Sequence, residues 1–379
     1  MKVEEYSHFN IDPMLEPVWR NLLNLSDVDS IFGSYQWARE WWSAFKQKND
    51  KLCLTLISEG NQAHGLAALY LTQERWGALK ANVLAPVGQN TAQYLDFILP
   101  VEPQKTVSRL FDFLVEKPGW DVLSLNNMPK SSVNFKYIKS TASARKLMVV
   151  EEPEDVCPFI LLEDNYNTFM LKRFRSKFRK EIKRNTRRLQ AKGHHHFEMI
   201  YKAKNLHRVF SEIVRLENHS WKGKKKLGIF STPSKQRFYY QIMQILAANG
   251  KLVVLLQWLD NKLITYEIAF LSKNRFLAFN TAFDSDFRIY APGVLSQVEL
   301  IKQCFKMNIP IFDFLRGGEH YKSKWTDVAT QNVNLHIFAP TNRGSVLSGG
   351  LKGRMLLRKL KRRIRPRRDV ADFKIINSS

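Results

Sequence analysis

The sequence predicts a mixed α/β (α+β) protein with two lobes in tandem, each a mixed sheet flanked by helices, and a basic helical tail. The chain has 379 residues, 44% of them hydrophobic, which is enough for two packed cores. A pattern of helix, strands, helix and strand in the first half returns in the second half. Positive charge is concentrated in two segments. We therefore expect lobes at 1–150 and 151–340, followed by a tail at 341–379.

The first lobe is predicted to follow an acidic leader with a short helix at 18–25. Residues 34–46 place four aromatic side chains on one helical face, and such a stripe is typical of a core. No glycine-bearing phosphate turn stands out in this lobe. The other predicted elements are strands at 52–58, 63–72, 83–87, 94–99 and 122–125 and a helix at 107–116.

The second lobe is predicted to begin with an exposed acidic turn at 151–155 and to end before a glycine hinge at 348–350. Apolar spacing distinguishes its helices from its strands. The predicted helices are 167–192, 206–217, 236–248, 294–307 and, in the tail, 351–364; the predicted strands are 159–162, 197–201, 251–258, 263–271, 276–283, 311–315 and 334–338.

The net charge of +24 comes mostly from two segments. Residues 169–192 hold eleven lysines and arginines against one glutamate, and residues 351–368 hold ten against none. The first segment is expected to be a solvated helix or a binding surface for an acidic partner. The second has the pattern of a basic amphipathic helix, which suits either an anionic membrane surface or a tail docked on the protein.

Several features argue against export, membrane spanning and metal binding. The apolar runs are shorter than a bilayer span, and the three cysteines lack the spacing of a disulfide framework or zinc ribbon. The histidines at 194–196 precede a strand, where consecutive side chains alternate between faces and do not share one metal. We therefore expect a cytoplasmic protein without a metal site.

The most informative stretch joins two predicted strands to a helix through a glycine. Arg288 to Gly293 follows the strand at 276–283, and Gly293 stands at the entrance of the next helix. A helix entrance presents free backbone N–H groups, and glycine has no Cβ to hold a ligand away. This junction is expected to bind a diphosphate.

The spacing of this junction resembles the phosphate loop of the GNAT N-acetyltransferases, Arg/Gln-x-x-Gly-x-Gly/Ala, with Ala291 in place of the first glycine. The wider sequence is similar to the bacterial acetyltransferases of the cellulose-biosynthesis CelD/BcsL type, which are relatives of the FemAB peptidyltransferases. The resemblance covers most of residues 30–340. It includes Phe283-Asp284, Tyr290-Ala291-Pro292-Gly293, Phe312-Asp313-Phe314, Gly318-Glu319-His320-Tyr321-Lys322, Trp325 and Ser220-Trp221-Lys222-Gly223.

The resemblance implies an acyl-CoA site and an acyl transfer. The expected cofactor-binding residues are Arg288, Tyr290, Ala291, Gly293, Val294 and Leu295, and the expected substrate-binding residues are Trp221, Lys222, Asp284 and Lys322. Trp221 could equally be a buried loop anchor. Lys222 and Trp221 belong to a segment that resembles an active-site rim.

Three residues are candidate catalytic groups. The Tyr321 phenol, with an ordinary pKa near 10, could protonate a thiolate whose pKa lies near 8.5, or it could pack beside Trp325. Glu267 interrupts an apolar strand, which favours a general base, although it could lie at the wet edge of the sheet. Asp313 is a second candidate base.

These inferences lead to an acetyl-CoA-dependent acyltransferase that acts on a sugar or lipid-linked precursor of cell-surface polysaccharide. The acceptor is implied by the resemblance alone. One alternative is a FemAB-like transferase that uses aminoacyl-tRNA, for which the basic helix would contact phosphates. The other is a non-enzymatic protein that binds RNA or membrane through a degenerate GNAT core.

Overall fold

The computed structural model describes residues 1–10, 12–364 and 371–376. The chain forms two compact units: Met1–Cys157 with Arg316–Ser379, and Pro158–Leu315. Both units are mixed α/β, as predicted. The units differ from the predicted lobes after residue 315, because the strand at 328–338 pairs with Val122–Pro129 of the first unit.

The helices and strands are numbered in chain order. The strands are β1 (Lys2–Tyr6), β2 (Lys51–Glu59), β3 (Gln62–Trp76), β4 (Leu79–Pro86), β5 (Val122–Pro129), β6 (Met148–Leu161), β7 (His195–Ile200), β8 (Leu252–Leu259), β9 (Lys262–Ser272), β10 (Arg275–Phe283), β11 (Ile311–Asp313), β12 (Val328–Phe338) and β13 (Lys374–Ile375). The helices are α1 (Leu15–Leu25), α2 (Tyr35–Phe45), α3 (Pro103–Glu116), α4 (Val133–Ala144), α5 (Tyr166–Arg173), α6 (Ser176–Gln190), α7 (Ala203–His219), α8 (Trp221–Lys224), α9 (Pro233–Ala248), α10 (Pro292–Lys306), α11 (His320–Ser323) and α12 (Asn342–Ile364), with a 3₁₀ helix at Ser285–Tyr290.

The sheet of the first unit has the strand order β1-β2-β3-β4-β5-β12. Its β4 and β5 are parallel and are joined through α3, whereas β2, β3 and β4 are antiparallel neighbours. The aromatic stripe of α2 is part of the core as predicted, since Trp37 and Trp41 are buried. Helix α3 begins after Glu102, which adopts a left-handed backbone conformation, and its first residue is Pro103.

Two predictions for the first unit are wrong, and one of its strands is additional to the predicted elements. The leader contains a strand, β1, which pairs with β2. Residues 94–99 form only an isolated bridge from Ile98 to Leu66. The acidic segment 151–155 belongs to the long strand β6, because distant cations offset its charge: Lys139 pairs with Glu151 at 2.8 Å, and Arg316 pairs with Glu154 and Asp155.

The tail is helical, but the predicted hinge at 348–350 is wrong because α12 runs through it. Each glycine destabilises a helix interior by about 1 kcal/mol, and burial of Leu347 and Leu351 outweighs this cost. The described part of the tail docks on its own unit: Arg358 pairs with Glu152 at 2.8 Å, and Arg354 lies over Trp76. Positions 365–368 of the predicted membrane-contact segment lie outside the described residues.

The second unit has the strand order β11-β10-β9-β8-β7, with the last residues of β6 paired to β11. Helices α7 and α9 contact this sheet, and α10 contacts β8, β9 and β10. The predicted helix at 167–192 is two helices, because the chain extends at Phe174 and Arg175. Within the described residues, no helix combines the length and the apolarity that crossing a membrane requires.

Candidate active site

Strand β10 pairs with its neighbour β11 over only part of the length of β10. The two parallel strands pair at only three positions, from Arg275↔Ile311 to Leu277↔Asp313. On its other side β10 pairs with β9 through to Phe283, with a bulge between Ala278 and Asn280. Within the described sheet, the stretch from residue 278 to 283 therefore has one free edge, about 17 Å long. A free strand edge offers backbone hydrogen-bonding groups to a ligand.

The entrance of α10 lies directly after this open edge. Ala291 is the N-cap and has φ 50° and ψ 52°, a left-handed conformation that costs a residue with a Cβ some strain. Pro292 follows at the first helical position and has no N–H to satisfy. The N–H groups of Val294 and Leu295 reach back to the Ala291 carbonyl. The first turn thus presents the Gly293 N–H and the positive end of the helix macrodipole.

The space beside Gly293 is open. A Cβ added at this position would meet only the Phe283 ring, at 3.8 Å, and the residue is half-buried. Leu295 and Tyr290 are buried in one hydrophobic cluster with Leu189 of α6, which fixes the turn against the unit's core. Arg288 is exposed. The junction therefore has two features expected of an anion site: the N–H of Gly293, which no side chain shields, and a helix N-terminus.

Helix α6 borders this turn. The Arg188 guanidinium lies 4.8 Å from the centre of the Tyr290 ring, and its Nη1 lies 3.4 Å from the Ile289 carbonyl oxygen. Leu189, the next residue, packs against Leu295 in the first turn of α10. The C-terminal turn of α6 therefore lies beside the N-terminal end of α10.

Glu267 is buried on the sheet beside the open edge. It is 3% exposed and lies opposite Thr281 of β10, on the strand face that also carries Thr265 and Phe283. Its Oε1 and the hydroxyls of Thr265 and Thr281 have no hydrogen-bond partner among the described residues. Burial raises the pKa of Glu267 to about 8, against smaller opposing effects of Thr281 and Lys222. A buried carboxyl with this pKa suits a general base or acid near neutral pH.

The opposite face of β10 carries a second buried polar cluster. The Lys222 ammonium donates to Asn280 Oδ1 at 2.9 Å and to the Thr281 carbonyl at 2.8 Å. Asn280 Nδ2 donates to the Tyr266 hydroxyl at 2.7 Å. Glu217 is fully buried, accepts from the Ile229 N–H, and has its pKa raised by burial. These contacts hold α8 against the bulged part of β10, so the structure gives Lys222 a positioning role.

Three predicted site residues are structural in this protein. Asp313 is buried and pairs with Arg275 at 3.0 Å while it accepts from the Leu315 N–H, so it is not a free base. Asp284 caps the 3₁₀ helix and pairs with Lys262 at 2.8 Å. Burial acts to raise the pKa of Asp284, but Lys262 and the Asp286 N–H lower it below its usual value.

Lys322 is the third structural residue, with its side chain buried. Its ammonium donates to the Arg316 and Gly317 carbonyls at 2.8 and 3.0 Å and pairs with Glu319. The charge of Lys322 is therefore satisfied within the first unit, and its contact with an anionic acceptor stays a prediction.

Two aromatic candidates keep exposed side chains. Trp221 is 54% exposed, with Lys225 over its ring, so the alternative of a buried loop anchor is wrong. Tyr321 is 39% exposed and belongs to α11 of the first unit, whereas the phosphate turn and Glu267 belong to the second. Trp325, beside which Tyr321 was alternatively expected to pack, is buried.

The sequence interpretation missed Glu217, Tyr266 and Asn280. Glu217 occupies an apolar position in the stripe of α7 that includes Ile213, and Asn280 stands among apolar residues of β10. A polar residue at a core position was the available signal, since such groups are buried only with partners.

Residues 176–323 match the family model described as an acetyltransferase (GNAT) domain. No curated protein matches the chain. Among solved structures, the crystal structure of FemX is similar at 10% identity, with a TM-score of 0.55 over 84% of this chain and 89% of that one. A conserved protein of unknown function from Bacteroides thetaiotaomicron gives 10% identity, a TM-score of 0.55, and coverage of 89% and 100%.

A third similar structure is the C-terminal domain of a putative lysylphosphatidylglycerol synthetase from Agrobacterium fabrum, with 11% identity, a TM-score of 0.50, and coverage of 90% and 95%. At these identities the three structures show a common fold. The family match covers α6, the open edge of β10 and the entrance of α10. The match to an acetyltransferase (GNAT) domain over residues 176–323 therefore supports an acyltransferase.

Proposed function

We propose that this protein transfers an acyl group, most simply acetyl, from acyl-CoA to a sugar or lipid-linked precursor of cell-surface polysaccharide. The observation that carries the donor assignment is the open first turn of α10 beside the free edge of β10. The Gly293 amide would hold the diphosphate, and the free edge of residues 278–283 would face the extended arm of the donor. Gly293 fits this group because the space where its Cβ would stand is unfilled.

Acyl-CoA, when bound, would supply the acyl group as a thioester. Glu267 would accept the proton of the acceptor's amine or hydroxyl group, since its ionised form becomes substantial near its pKa of about 8. Lys222 would hold the bulged part of β10 in place through Asn280 and the Thr281 carbonyl. Tyr321 remains our proposed proton donor to the leaving thiolate.

The acceptor proposal is supported by the resemblance to the CelD/BcsL type. Trp221 belongs to that resemblance, and its exposed ring suits stacking on a sugar. We propose a cytoplasmic enzyme that contacts the membrane's inner face through its basic tail.

A second candidate is a FemAB-like transferase that uses aminoacyl-tRNA. The exposed cations of α6 favour it, because a row of exposed positive charges suits a phosphate backbone. The fold shared with FemX is compatible with this candidate.

We propose that the first unit has no donor site. Its helix α3 enters as α10 does, through a left-handed N-cap followed by proline. The positions of Ala291 and Gly293 are taken there by Glu102 and Gln104. A carboxylate and a long side chain at this entrance would oppose a diphosphate.

Acetyl-CoA is expected to raise the melting temperature of the full chain. A ligand that binds only the folded state stabilises it by about 2.7 kcal/mol at one hundred times its Kd. Differential scanning fluorimetry with acetyl-CoA, with a tRNA mixture and with anionic liposomes measures this. Stabilisation by tRNA or liposomes alone, with none by acetyl-CoA, would contradict the proposed function.

A further inference from the structure

Helix α6 carries a row of cations that the proposed catalysis does not use. Lys180, Lys183, Arg184, Arg187 and Arg188 line a groove of about 440 Å³ on one side of this helix. The first four of them form no ion pair within the described parts of the chain, and all five are exposed. Like charges spaced four residues apart repel each other in a helix, so a bound anion would relieve this repulsion.

The groove is next to the proposed diphosphate site. Arg188 stacks on Tyr290 and reaches the Ile289 carbonyl, while Leu189 packs on Leu295. Arg184 is one turn further along α6, about 6 Å from Arg188 along the axis. A donor with its diphosphate at Gly293 would therefore lie beside the end of α6 that carries Arg188.

The buried side of α6 has one polar atom without a hydrogen-bond partner in the described structure. Asn185 is 3% exposed and lies in the apolar stripe with Ile182 and Leu189, whose cluster includes Tyr290 and Leu295. Its Oδ1 has no hydrogen-bond partner in the described structure. An unsatisfied buried amide oxygen costs free energy, but Asn185 is not among the residues that line the groove.

We propose that α6 binds the 3′-phosphate of the donor CoA through Arg184 and Arg187, so that this helix selects 3′-phosphorylated CoA over its dephosphorylated form. This inference rests on the proposed function and names a recognition element of the same site. The chemistry is that of a phosphate monoester beside a diphosphate, for which guanidinium groups are well suited.

The test is isothermal titration calorimetry of the full chain with acetyl-CoA and with 3′-dephospho-acetyl-CoA. The unaltered protein should bind the dephosphorylated ligand about tenfold more weakly, the loss expected for one charge-assisted contact. In the double variant Arg184→Ala/Arg187→Ala, both ligands should bind with the same affinity. Lys177→Ala is the matched control, because Lys177 is an exposed cation of the same helix three turns from Arg188, and it should keep the tenfold preference.

Equal binding of the two ligands by the unaltered protein would overturn the inference and leave the donor assignment intact. A preference abolished equally by Lys177→Ala would also overturn it, because the effect would then be one of general charge. If the double variant lost tRNA binding while keeping the tenfold preference, α6 would be a nucleic-acid surface instead. If neither CoA ligand bound, the proposed function itself would be contradicted.

Discussion

Gly293→Asp is expected to lower acetyl-CoA affinity about one-hundredfold without destabilising the protein. The new carboxylate would stand where the diphosphate binds, so like-charge repulsion would oppose the hydrogen bond that the Gly293 N–H donates to the diphosphate. The free energy of unfolding should not fall, because there is room for a Cβ at this position. An acidic side chain in the first turn of a helix also stabilises the helix by about 0.3–1 kcal/mol. Calorimetric titration gives the affinity, and chemical denaturation gives the free energy of unfolding.

Gly353→Asp is the matched control for this change. It adds the same charge at an exposed helical glycine of α12, where no atom lies within 4 Å of the added Cβ. This control should bind acetyl-CoA with unaltered affinity. Undiminished binding by Gly293→Asp would place the donor elsewhere on the protein.

Glu267→Gln is expected to lower kcat by about 10²–10⁴, the usual range for loss of a general base, while acetyl-CoA binding persists. Glutamine keeps the shape of the side chain but does not accept a proton. The unaltered enzyme should gain activity as pH rises toward 8, because burial holds the pKa of Glu267 at about 8 and only the ionised form is a base. The variant should lack this part of the pH profile.

Stability measurements test whether the pKa of Glu267 is raised in the folded protein, whatever its role in catalysis. A folded-state pKa of about 8, against an ordinary value of 4.5, means that the folded protein keeps a proton that the unfolded chain loses. This group's contribution to the free energy of unfolding therefore falls as pH rises through that interval. Above pH 8, Glu267→Gln should be more stable relative to the unaltered protein than it is at low pH.

The control for the activity measurements is Glu163→Gln, at an exposed position, which should change neither activity nor its pH profile. Full activity of Glu267→Gln would exclude the base role.

The local pattern of the second unit could be predicted from the sequence. Strands β9 and β10 and helix α10 each have a strong apolar period, and Gly293 at the helix entrance needs no distant partner to be recognised. The apolar pattern does not predict the bulge of β10 at residue 279, nor that β10 pairs with β11 at only three positions. Those features depend on residues far apart in the chain.

The failures have a common physical cause. The sequence predicts a turn at 151–155 because Arg316, which pairs with two of its acidic residues, is more than 160 residues away. The sequence indicates Asp313 as a candidate base because its ion-pair partner, Arg275, lies 38 residues away in the chain. Strand β12 was placed in the second lobe because nothing local shows that it pairs with β5. Tertiary contacts determine whether a charged residue is functional or structural.

The most direct test of the central claim is a crystal structure of the protein with acetyl-CoA. We expect a diphosphate oxygen within about 3.2 Å of the Gly293 amide nitrogen, and the extended arm of the donor along the free edge of residues 278–283. A donor bound elsewhere, with no phosphate oxygen near the first turn of α10, would contradict the account.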